Sequence, residues 1–264
     1  AGGDINIFQR IVNFFQGDTE AQRAFRNRQN MLQLVWNTWI EGVLKKSLHN
    51  EVLIELGMET KPDAVEHPWD MVMQMPDREP EMVKPGTTML ELFDQSNGSL
   101  LILGEPGSGK TTMLLELARL AILRAQEDPL QPIPVVFNLS SWTPKQTIAG
   151  WLVNEINSRY FYSKNIGSGW VENDVLLLLF DGLDEVRAEI REACIEAINA
   201  FLERHTVQLA VCSRKLEYDN LRTRPNLRGA VMIQLLTEQQ VETYLQDKGD
   251  SLSAASQMLK QFPE

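Results

Sequence analysis

The residues best suited to chemistry lie at three points where an apolar run of the chain ends. The first point is the stretch GEPGSGKTT at residues 104–112, which follows the apolar residues 100–103 and precedes a helical pattern. It matches G-x-x-x-x-G-K-[ST], in which glycines let backbone N–H groups converge on phosphate in front of a helix N-terminus. The predicted phosphate-binding residues are Gly104, Glu105, Pro106, Gly107, Ser108, Gly109, Lys110, Thr111 and Thr112. Lys110 is expected to reach the β- and γ-phosphates of a nucleotide, and the Thr111 hydroxyl to bind Mg²⁺.

The second point is VLLLLFDGLDE at residues 175–185, an apolar run that ends in carboxylates. Asp181 at the end of this run is placed to hold the water ligands of a phosphate-bound Mg²⁺ ion. Gly182 keeps bulk away from the metal, and Asp184 or Glu185 would orient or deprotonate an attacking water. The alternative is that Asp184 and Glu185 supply negative charge to the start of the next helix, and the two roles are compatible.

The third point is LAVCSR at residues 209–214. Ligands collect at the carboxyl ends of parallel strands, so Arg214 is expected to contact the γ-phosphate. The alternative is a solvated basic loop, because Lys215 and three arginines follow closely. Those arginines are Arg222, Arg224 and Arg228. Cys212 is expected to be a small buried apolar residue.

Five uniformly apolar runs predict the strands that would position these residues. They are residues 100–103, 133–139, 175–180, 208–212 and 231–235. Runs that are apolar throughout, rather than alternating, are typical of a parallel sheet covered on both faces. Helical patterns separate the runs, so the sequence predicts a three-layer α/β domain with a five-stranded parallel sheet.

Residues 1–56 are predicted to form a helical N-terminal region. Asp18 with Thr19 is expected to start its main helix. Apolar side chains then recur at three- and four-residue steps, which places them on one stripe that packs against another element. The stripe contains Leu32, Val35, Trp36, Trp39, Ile40 and Val43.

Residues 57–98 are predicted to be an irregular connector, because five prolines interrupt any long helix there. Thr88 and Glu91 form a capping-box pattern that would open a short helix through Phe93. The α/β domain is then expected over residues 99–236, and Val241, Tyr244 and Leu245 at helical spacing indicate that a helix follows it.

Composition limits the class of protein. The chain has 264 residues, 43% of them hydrophobic, which is enough for one large core with a smaller attached region. Its net charge of −11 argues against non-specific nucleic-acid binding, which needs a basic surface. Two cysteines outside any C-x-x-C pair and three scattered histidines indicate neither a disulfide framework nor a structural zinc site.

The same composition leads us to expect a cytoplasmic protein. The longest apolar run, at residues 175–180, is too short to span a bilayer, and no leader pattern precedes it. The chain starts without a methionine and ends without a helix stop signal, so we expect it to be a fragment of a longer protein.

Taken together, several segments resemble the NACHT domain of bacterial signal-transducing (STAND) NTPases, within the AAA+ P-loop superfamily. They are LLILGEPGSGKTT, PVVFNLSSW, LLLLFDGLDE, LAVCSR and LTEQQVETYL, and they cover about residues 99–245. The most specific part is Asp-Gly-Leu-Asp-Glu, since NACHT proteins place a small residue after the strand-terminal aspartate and further acids beyond it. RQNMLQLVWNTWIEGVL, KPDAVEHPWD and KPGTTMLELFD also resemble the region that precedes the NACHT core, with less specific motifs.

The resemblance implies an ATP/ADP-controlled switch, related to innate-immune receptors. ADP would hold a closed monomer, and exchange for ATP would permit self-association and activation of an effector. The resemblance also implies a sheet in which the strand that ends at Cys212 lies between the two phosphate-binding strands. Residues 104–112 would bind phosphate and Asp181 would hold Mg²⁺.

The resemblance also assigns the hydrolytic and sensing residues. Asp184 and Glu185 carry over as the hydrolytic acids and Arg214 as the sensor arginine. The connector would supply the base pocket, with residues 67–69 as one candidate, and residues 237–264 would be the start of the family's helical lid. The winged-helix and C-terminal sensor parts of the family are not recognisable in the sequence, so hydrolysis by this chain would be slow or nil.

Two other functions stay open at this point. A P-loop small-molecule kinase would use Arg222, Arg224 and Arg228 as a phosphate-gripping lid. A nucleotide-dependent scaffold would share every binding residue with the switch and differ only in turnover. GTP also stays open as the nucleotide, because no base-reading motif stands out.

Overall fold

The computed structural model of the chain describes residues 19–46, 71–75, 81–84 and 86–234. Its first helix, α1, spans Glu20–Val35. Thr19 begins the helix as predicted, with a capping box in which Thr19 and Gln22 exchange hydrogen bonds. The chain continues as a π-helical segment, Trp36–Glu41, and a 3₁₀ turn, Leu44–Lys46.

The apolar stripe predicted for this region is confirmed only in part. Leu32, Val35 and Ile40 are fully buried, whereas Val43 is 42% exposed. The wider π-helical turn after Val35 changes the angle between successive side chains. A stripe extrapolated at 3.6 residues per turn therefore no longer faces the core at Val43.

The connector predicted to be irregular contains two strands, which corrects that prediction. Strand β1 spans Met71–Gln74 and strand β2 spans Glu81–Met82, and the two pair antiparallel. The prolines at positions 76 and 80 lie between these strands in the sequence, so they remove no hydrogen-bond donor from either one. Helix α2, Met89–Gln95, begins with the predicted capping box at Thr88.

The five predicted parallel strands are confirmed. They are β3 (Ser99–Gly104), β4 (Ile133–Asn138), β5 (Leu176–Asp181), β6 (Gln208–Arg214) and β7 (Gly229–Ile233). Strand β7 starts two residues before its predicted position, and residue 235 lies outside the described residues. The sheet order is β2-β1-β7-β3-β6-β5-β4, with β1 antiparallel to β7.

Within the described residues, the sheet therefore has seven strands where the sequence predicted five. Strand β6 lies between β3 and β5, as the resemblance implied. Consecutive residues of β3, β4 and β5 are buried, although neighbouring side chains point to opposite faces of a strand. Both faces of the sheet are thus covered, which confirms the three-layer α/β class.

Helices follow the strands in the order expected for this class. They are α3 (Lys110–Glu127), α4 (Ile148–Tyr160), α5 (Lys164–Glu172), α6 (Ala188–Leu202) and the short α7 (Lys215–Asp219). Helix α3 packs against β3, β4, β5 and β6, so the helix that begins at the glycine-rich loop crosses the middle of the sheet.

Helix α1 packs against α3 and β4, the π-helical segment that continues it also packs against α3, and polar contacts tie both to the α/β core. Trp39 Nε1 donates to the Tyr160 hydroxyl at 2.9 Å, and that hydroxyl donates to the Val136 carbonyl at 2.6 Å. Tyr160 is 3% exposed, and burial raises its pKa. Arg28 Nη2 adds a hydrogen bond to the Ala125 carbonyl at 3.0 Å. The N-terminal helix is thus fixed to the edge of the sheet.

Candidate functional site

The register of the sheet aligns the strand ends that carry the candidate residues. Gly104, the last residue of β3, lies opposite Arg214, the last residue of β6. Asn138, the last residue of β4, lies opposite Asp181, the last residue of β5. Because parallel strands present their carboxyl ends at one edge, the polar residues that follow four different strands face a common region.

The glycine-rich loop between β3 and α3 has the backbone needed to bind an anion. Gly107 and Gly109 have φ of +77° and +89°, a conformation that glycine adopts at little cost. An added Cβ at either position would meet no atom within 4 Å, so the space in front of the loop is open. Gly109 caps α3 without a side-chain hydrogen bond, which leaves the first N–H groups of the helix available to phosphate.

Lys110 stabilises the loop through its own side chain. Its Nζ donates to the carbonyl oxygens of Gly104 at 3.1 Å and Glu105 at 2.8 Å. These contacts place the ammonium group beside the loop backbone rather than extended into solvent. Phosphate oxygens, which are stronger acceptors because they are charged, would compete with the two carbonyls for this donor.

Thr111 and Asp181 form the contact that joins the loop to β5. The Thr111 hydroxyl lies 3.0 and 3.2 Å from the two carboxylate oxygens of Asp181. A hydroxyl and a carboxylate at this distance are the oxygen ligands that Mg²⁺ uses beside phosphate. Among the residues that the structure describes, no group of three His, Cys, Asp or Glu side chains could hold a metal by itself. A Mg²⁺ ion here would therefore share its coordination with phosphate and water, as is usual for this ion.

The two further acids lie on a 3₁₀ turn, Leu183–Glu185, directly after Asp181. Asp184 is bound by Arg214 twice, since its Oδ2 is 2.9 Å from Arg214 Nε and its Oδ1 accepts from the Arg214 backbone N–H at 3.1 Å. Glu185 is exposed, and its Oε2 accepts from Asn138 Nδ2 at 3.0 Å. The two acids therefore have different partners and different access to solvent.

Gly182 allows the Glu185 carboxylate to approach the end of β5. The φ of Gly182 is +74°, and an added Cβ would lie 2.8 Å from Glu185 Oε2. The carboxylate thus packs against the backbone of the residue next to Asp181. This arrangement combines an anion-binding loop, an oxygen pair suited to Mg²⁺ and an exposed carboxylate at one edge of a parallel sheet.

A model of the NACHT domain family matches residues 99–249, which is more than half of the chain. This chain belongs to the NACHT domain family. It is therefore a nucleotide-binding NTPase module, which agrees with the geometry of the loop and of β5. A search of the curated proteins finds no match.

Several groups of this NACHT domain affect the pKa of Asp181. Burial raises the pKa of the Asp181 carboxyl, and the hydrogen bond from Thr111 lowers it. The negative charges of Glu185 and Asp184 raise this pKa further, and the backbone N–H of Gly182 lowers it. A buried carboxylate beside two other acids is short of positive charge, which a divalent cation would supply.

Cys212 is buried as predicted, and its position gives it one polar contact. The residue is 1% exposed, and its Sγ donates to the carbonyl of Lys110 at 3.6 Å. Burial raises the pKa of the thiol well above its usual value, and the negative charge of Asp181 adds to this effect. Cys212 therefore stays a neutral thiol beneath the loop and supports its backbone.

Asp184 and Glu185 lie in the first turn of the 3₁₀ segment Leu183–Glu185, which agrees with the alternative that they supply negative charge to a helix start. The longer helix α6 begins only at Ala188, with Arg187 as its N-cap. Arg214 was predicted to contact the γ-phosphate, whereas the structure pairs it with Asp184, and its side chain is 45% exposed.

Two of the basic residues that follow Arg214 are held by local contacts. The Arg224 guanidinium lies over the Tyr218 ring at 4.3 Å and donates to the Tyr218 carbonyl. The Arg222 backbone N–H donates to Glu192 on α6 at 3.1 Å. This segment is therefore bound to the surface of the domain.

Two residues of the site, Asn138 and Arg191, were not identified from the sequence. Asn138 ends an apolar run beside β5, so the rule that ligands collect at strand carboxyl ends would have found it. Arg191 contacts backbone carbonyls of the turn that carries the acids, and no spacing rule in the sequence predicts these contacts. Ser108, which was predicted as part of the phosphate loop, is 3% exposed, and its buried hydroxyl has no hydrogen-bond partner among the residues that the structure describes.

Some predictions fall on residues outside the described ranges. The candidate base-contact residues 67–69 lie there, and so does the lid predicted over residues 237–264. Within the residues that the structure describes, no helix is both long and apolar enough to cross a lipid bilayer.

Proposed function

We propose that this NACHT domain is the ATP/ADP-dependent switch of a bacterial STAND signalling protein of the defence type. It binds nucleotide with Mg²⁺ and hydrolyses ATP slowly. The observation that supports this proposal best is the Thr111–Asp181 contact, because it joins the anion-binding loop to a strand that also brings Glu185 to the same edge.

The residues divide the work of binding and hydrolysis as follows. The backbone N–H groups of residues 104–112, all except Pro106, which has none, bind the phosphates, and Lys110 exchanges the carbonyls of Gly104 and Glu105 for phosphate oxygens. Thr111 and Asp181 hold Mg²⁺, which when bound neutralises charge on the phosphate oxygens. Ser108, whose buried hydroxyl has no hydrogen-bond partner among the described residues, stabilises the loop once phosphate fills it.

Within the acidic pair we assign the hydrolytic role to Glu185. Both carboxylate oxygens of Asp184 are engaged by Arg214, and its side chain is only 8% exposed, so it is not available to accept a proton from water. Glu185 is exposed and lies against Gly182, so its carboxylate can orient a water and take its proton. Asp184 and Arg214 then act together, and Arg214 reaches the γ-phosphate only if this ion pair opens.

The switch function rests on exchange between the two nucleotide states. We propose that ADP holds the protein as a closed monomer and that ATP permits self-association and activation of an effector. The same proposal divides the chain into four parts. They are a helical region over residues 1–56, a connector over 57–98 that contributes to the base pocket, a nucleotide-binding unit over 99–236 and a lid that starts at 237.

The kinase alternative is less well supported. A phosphate-gripping lid needs arginines that can swing over the nucleotide, whereas Arg224 stacks on Tyr218 and the Arg222 backbone is bound to α6. A scaffold without hydrolysis would bind through the same loop, and only a measurement of turnover separates it from the switch.

The test is the identity of the nucleotide that co-purifies with the chain, together with its turnover. The protein is precipitated with acid, and the released nucleotide is separated by chromatography. Bound ADP, with slow release of phosphate from added ATP, is the expected result. Bound guanine nucleotide would overturn the adenine assignment, and ADP without any turnover would favour the scaffold. A chain that binds neither ATP nor ADP would overturn the proposed function.

A further inference from the structure

Arg191, on the first turn of α6, makes three hydrogen bonds to the turn that carries the acids. Its Nη2 donates to the Asp184 carbonyl at 2.6 Å and to the Val186 carbonyl at 2.9 Å. Its Nε also donates to the Val186 carbonyl, at 3.2 Å. One guanidinium thus holds the backbone on both sides of Glu185.

The position of Arg191 near the N-terminus of α6 is unfavourable for helix stability alone. A positive charge in the first turn opposes the helix dipole, which favours acids at that end. The three carbonyl contacts offset this cost, because hydrogen bonds from a charged donor are stronger than neutral ones. The contacts, rather than helix formation, therefore account for an arginine at this position.

Helix α6 is a firm base for these contacts. Cys194, Ile195 and Ile198 are fully buried. Asn199 also accepts from the Asn226 backbone N–H at 2.8 Å and donates to the Arg224 carbonyl at 2.9 Å. The helix is thus fixed both to the core and to the segment that joins β6 to β7. A side chain that extends from it can set the position of the turn.

We propose that Arg191 is a positioning residue for ATP hydrolysis, because it fixes the 3₁₀ turn and thereby the direction of the Glu185 carboxylate. This inference rests on the proposed function, in which Glu185 acts on the attacking water. In the proposed reaction Arg191 contacts neither the nucleotide nor the attacking water, and it acts only through the backbone of the turn. Arg214 fixes the same turn from the other side, through the Asp184 carboxylate.

The kinetic test compares Arg191→Ala with Arg187→Ala. Arg187 is exposed, lies on the same end of α6 and makes no side-chain cap, so its loss removes the same charge without the carbonyl contacts. We expect Arg191→Ala to lower kcat for ATP by about 10- to 100-fold with KM changed less than about twofold. Arg191→Lys, which keeps a donor but not the fork, should recover part of kcat. Equal kcat in Arg191→Ala, Arg187→Ala and the unmodified chain would overturn the proposal.

A second measurement separates positioning from loss of the fold. On a Glu185→Gln background, Arg191→Ala should produce no further loss of turnover, because both changes affect one carboxylate. If Arg191→Ala lowers turnover on this background as much as it does in the unmodified chain, the proposal that Arg191 acts through Glu185 is overturned. Equal melting temperatures for Arg191→Ala and Arg191→Lys would show that their kinetic difference does not come from unfolding.

Hydrogen exchange tests the inference without turnover. Amide exchange of residues 183–187 should be faster in Arg191→Ala than in Arg187→Ala or the unmodified chain. Arg191→Ala removes the guanidinium that donates to the Asp184 and Val186 carbonyls, so the turn opens more often. Unchanged exchange would overturn the inference even if the chain hydrolyses ATP. If the chain binds nucleotide but never hydrolyses it, the hydrolytic part of the proposed function fails, and the exchange result alone decides whether Arg191 holds the turn.

Discussion

The Thr111 hydroxyl lies within 3.0–3.2 Å of both carboxylate oxygens of Asp181, although the two residues are 70 positions apart in the sequence. Thr111 is the second residue of α3, the helix after β3, and Asp181 ends β5, while β6 lies between these strands in the sheet. The contact therefore crosses the width of one strand. It fixes the distance between the phosphate loop and the acidic turn through protein atoms alone.

Lys110→Ala is expected to weaken ATP and ADP binding by about 100-fold or more, because the site loses its charged donor to phosphate. Isothermal titration calorimetry measures both affinities. Lys145→Ala, which removes an exposed lysine between β4 and α4, should leave them unchanged. Normal ADP affinity in a folded Lys110→Ala variant would remove the phosphate-binding role of the loop.

Asp181→Asn is expected to raise the melting temperature of the nucleotide-free protein at pH 7 by about 2–4 °C. The pKa of Asp181 is raised in the folded protein, chiefly by burial, so folding favours the protonated carboxyl. The stability that this carboxyl contributes is therefore fully present only below the ordinary pKa of an aspartate. That contribution is lost as pH rises through the raised pKa, and the charged form destabilises the fold at pH 7. The amide removes this charge and still accepts from Thr111.

Differential scanning fluorimetry with EDTA, at pH 7 and near pH 4, checks this prediction. The gain in melting temperature should shrink at the acidic pH, because the raised pKa of Asp181 means that protonation removes more of its charge there than at pH 7. Asp181→Asn should also lose the part of ATP affinity that depends on Mg²⁺. A lower melting temperature at pH 7 would contradict the electrostatic account of this carboxyl.

Glu185→Gln and Asp184→Asn are expected to differ, although the residues are adjacent. Glu185→Gln should keep ATP affinity and melting temperature while turnover falls by about 100-fold, because an exposed general base is lost. Asp184→Asn should also lower the free energy of unfolding by about 1–2 kcal/mol, since it removes the charge that Arg214 binds and the pair is partly screened by solvent.

Single-turnover assays and urea unfolding measure these two effects. Equal stability of the two variants would contradict the separation of roles within the acidic pair. Unchanged turnover in both would remove the pair from the mechanism.

Gly182→Ala is expected to reduce turnover of ATP, and the loss should be larger than in a control variant that is destabilised to the same extent. A Cβ at this position would lie 2.8 Å from Glu185 Oε2 and would displace that carboxylate. Gly86→Ala is the matched control, because Gly86 also has positive φ, +85°, but a Cβ there meets no atom within 4 Å. Both variants should lose about 1–2 kcal/mol of stability from backbone strain. If they retain the same kcat, the contact between Gly182 and Glu185 has no role in hydrolysis.

Tyr160→Phe is expected to lower the free energy of unfolding by about 1–3 kcal/mol. It leaves the Val136 carbonyl without its donor and Trp39 Nε1 without its acceptor, at a site that is almost fully buried. Tyr162→Phe removes one hydrogen bond, to the Asn27 carbonyl, at a more exposed site and should cost less. Urea unfolding followed by tryptophan fluorescence compares them. An equal cost would mean that the Trp39–Tyr160–Val136 contact adds nothing special to the docking of α1.

The parallel strands and the phosphate loop could be predicted from the sequence because their signals are local. Residues 100–112 contain strand, glycines and helix start in direct succession, so periodicity and motif identify them together. The position of β6 between β3 and β5 came from the resemblance to NACHT proteins, since nothing in the spacing of the runs fixes strand order.

Other features depend on contacts that a sequence pattern does not encode. Strands β1 and β2 are short, and β1 is stabilised by pairing with β7, more than 150 positions away. The Arg214–Asp184 pair and the Asn138–Glu185 hydrogen bond likewise join distant segments. Sequence reasoning identified Asp184 and Glu185 as a pair, but it could not separate an acid bound by arginine from one exposed to water.

The hydroxyl of Tyr160 also has a consequence for aggregation and assembly. Among the strands that the structure describes, β4 is the last at its end of the sheet, and unpaired carbonyls on such a strand can template pairing with another chain. Tyr160 occupies the Val136 carbonyl, and α1 packs against the same strand. The sheet is thereby protected from extension through β4, so copies of this domain that associate would do so through helices and loops rather than through a continuous intermolecular sheet at this edge.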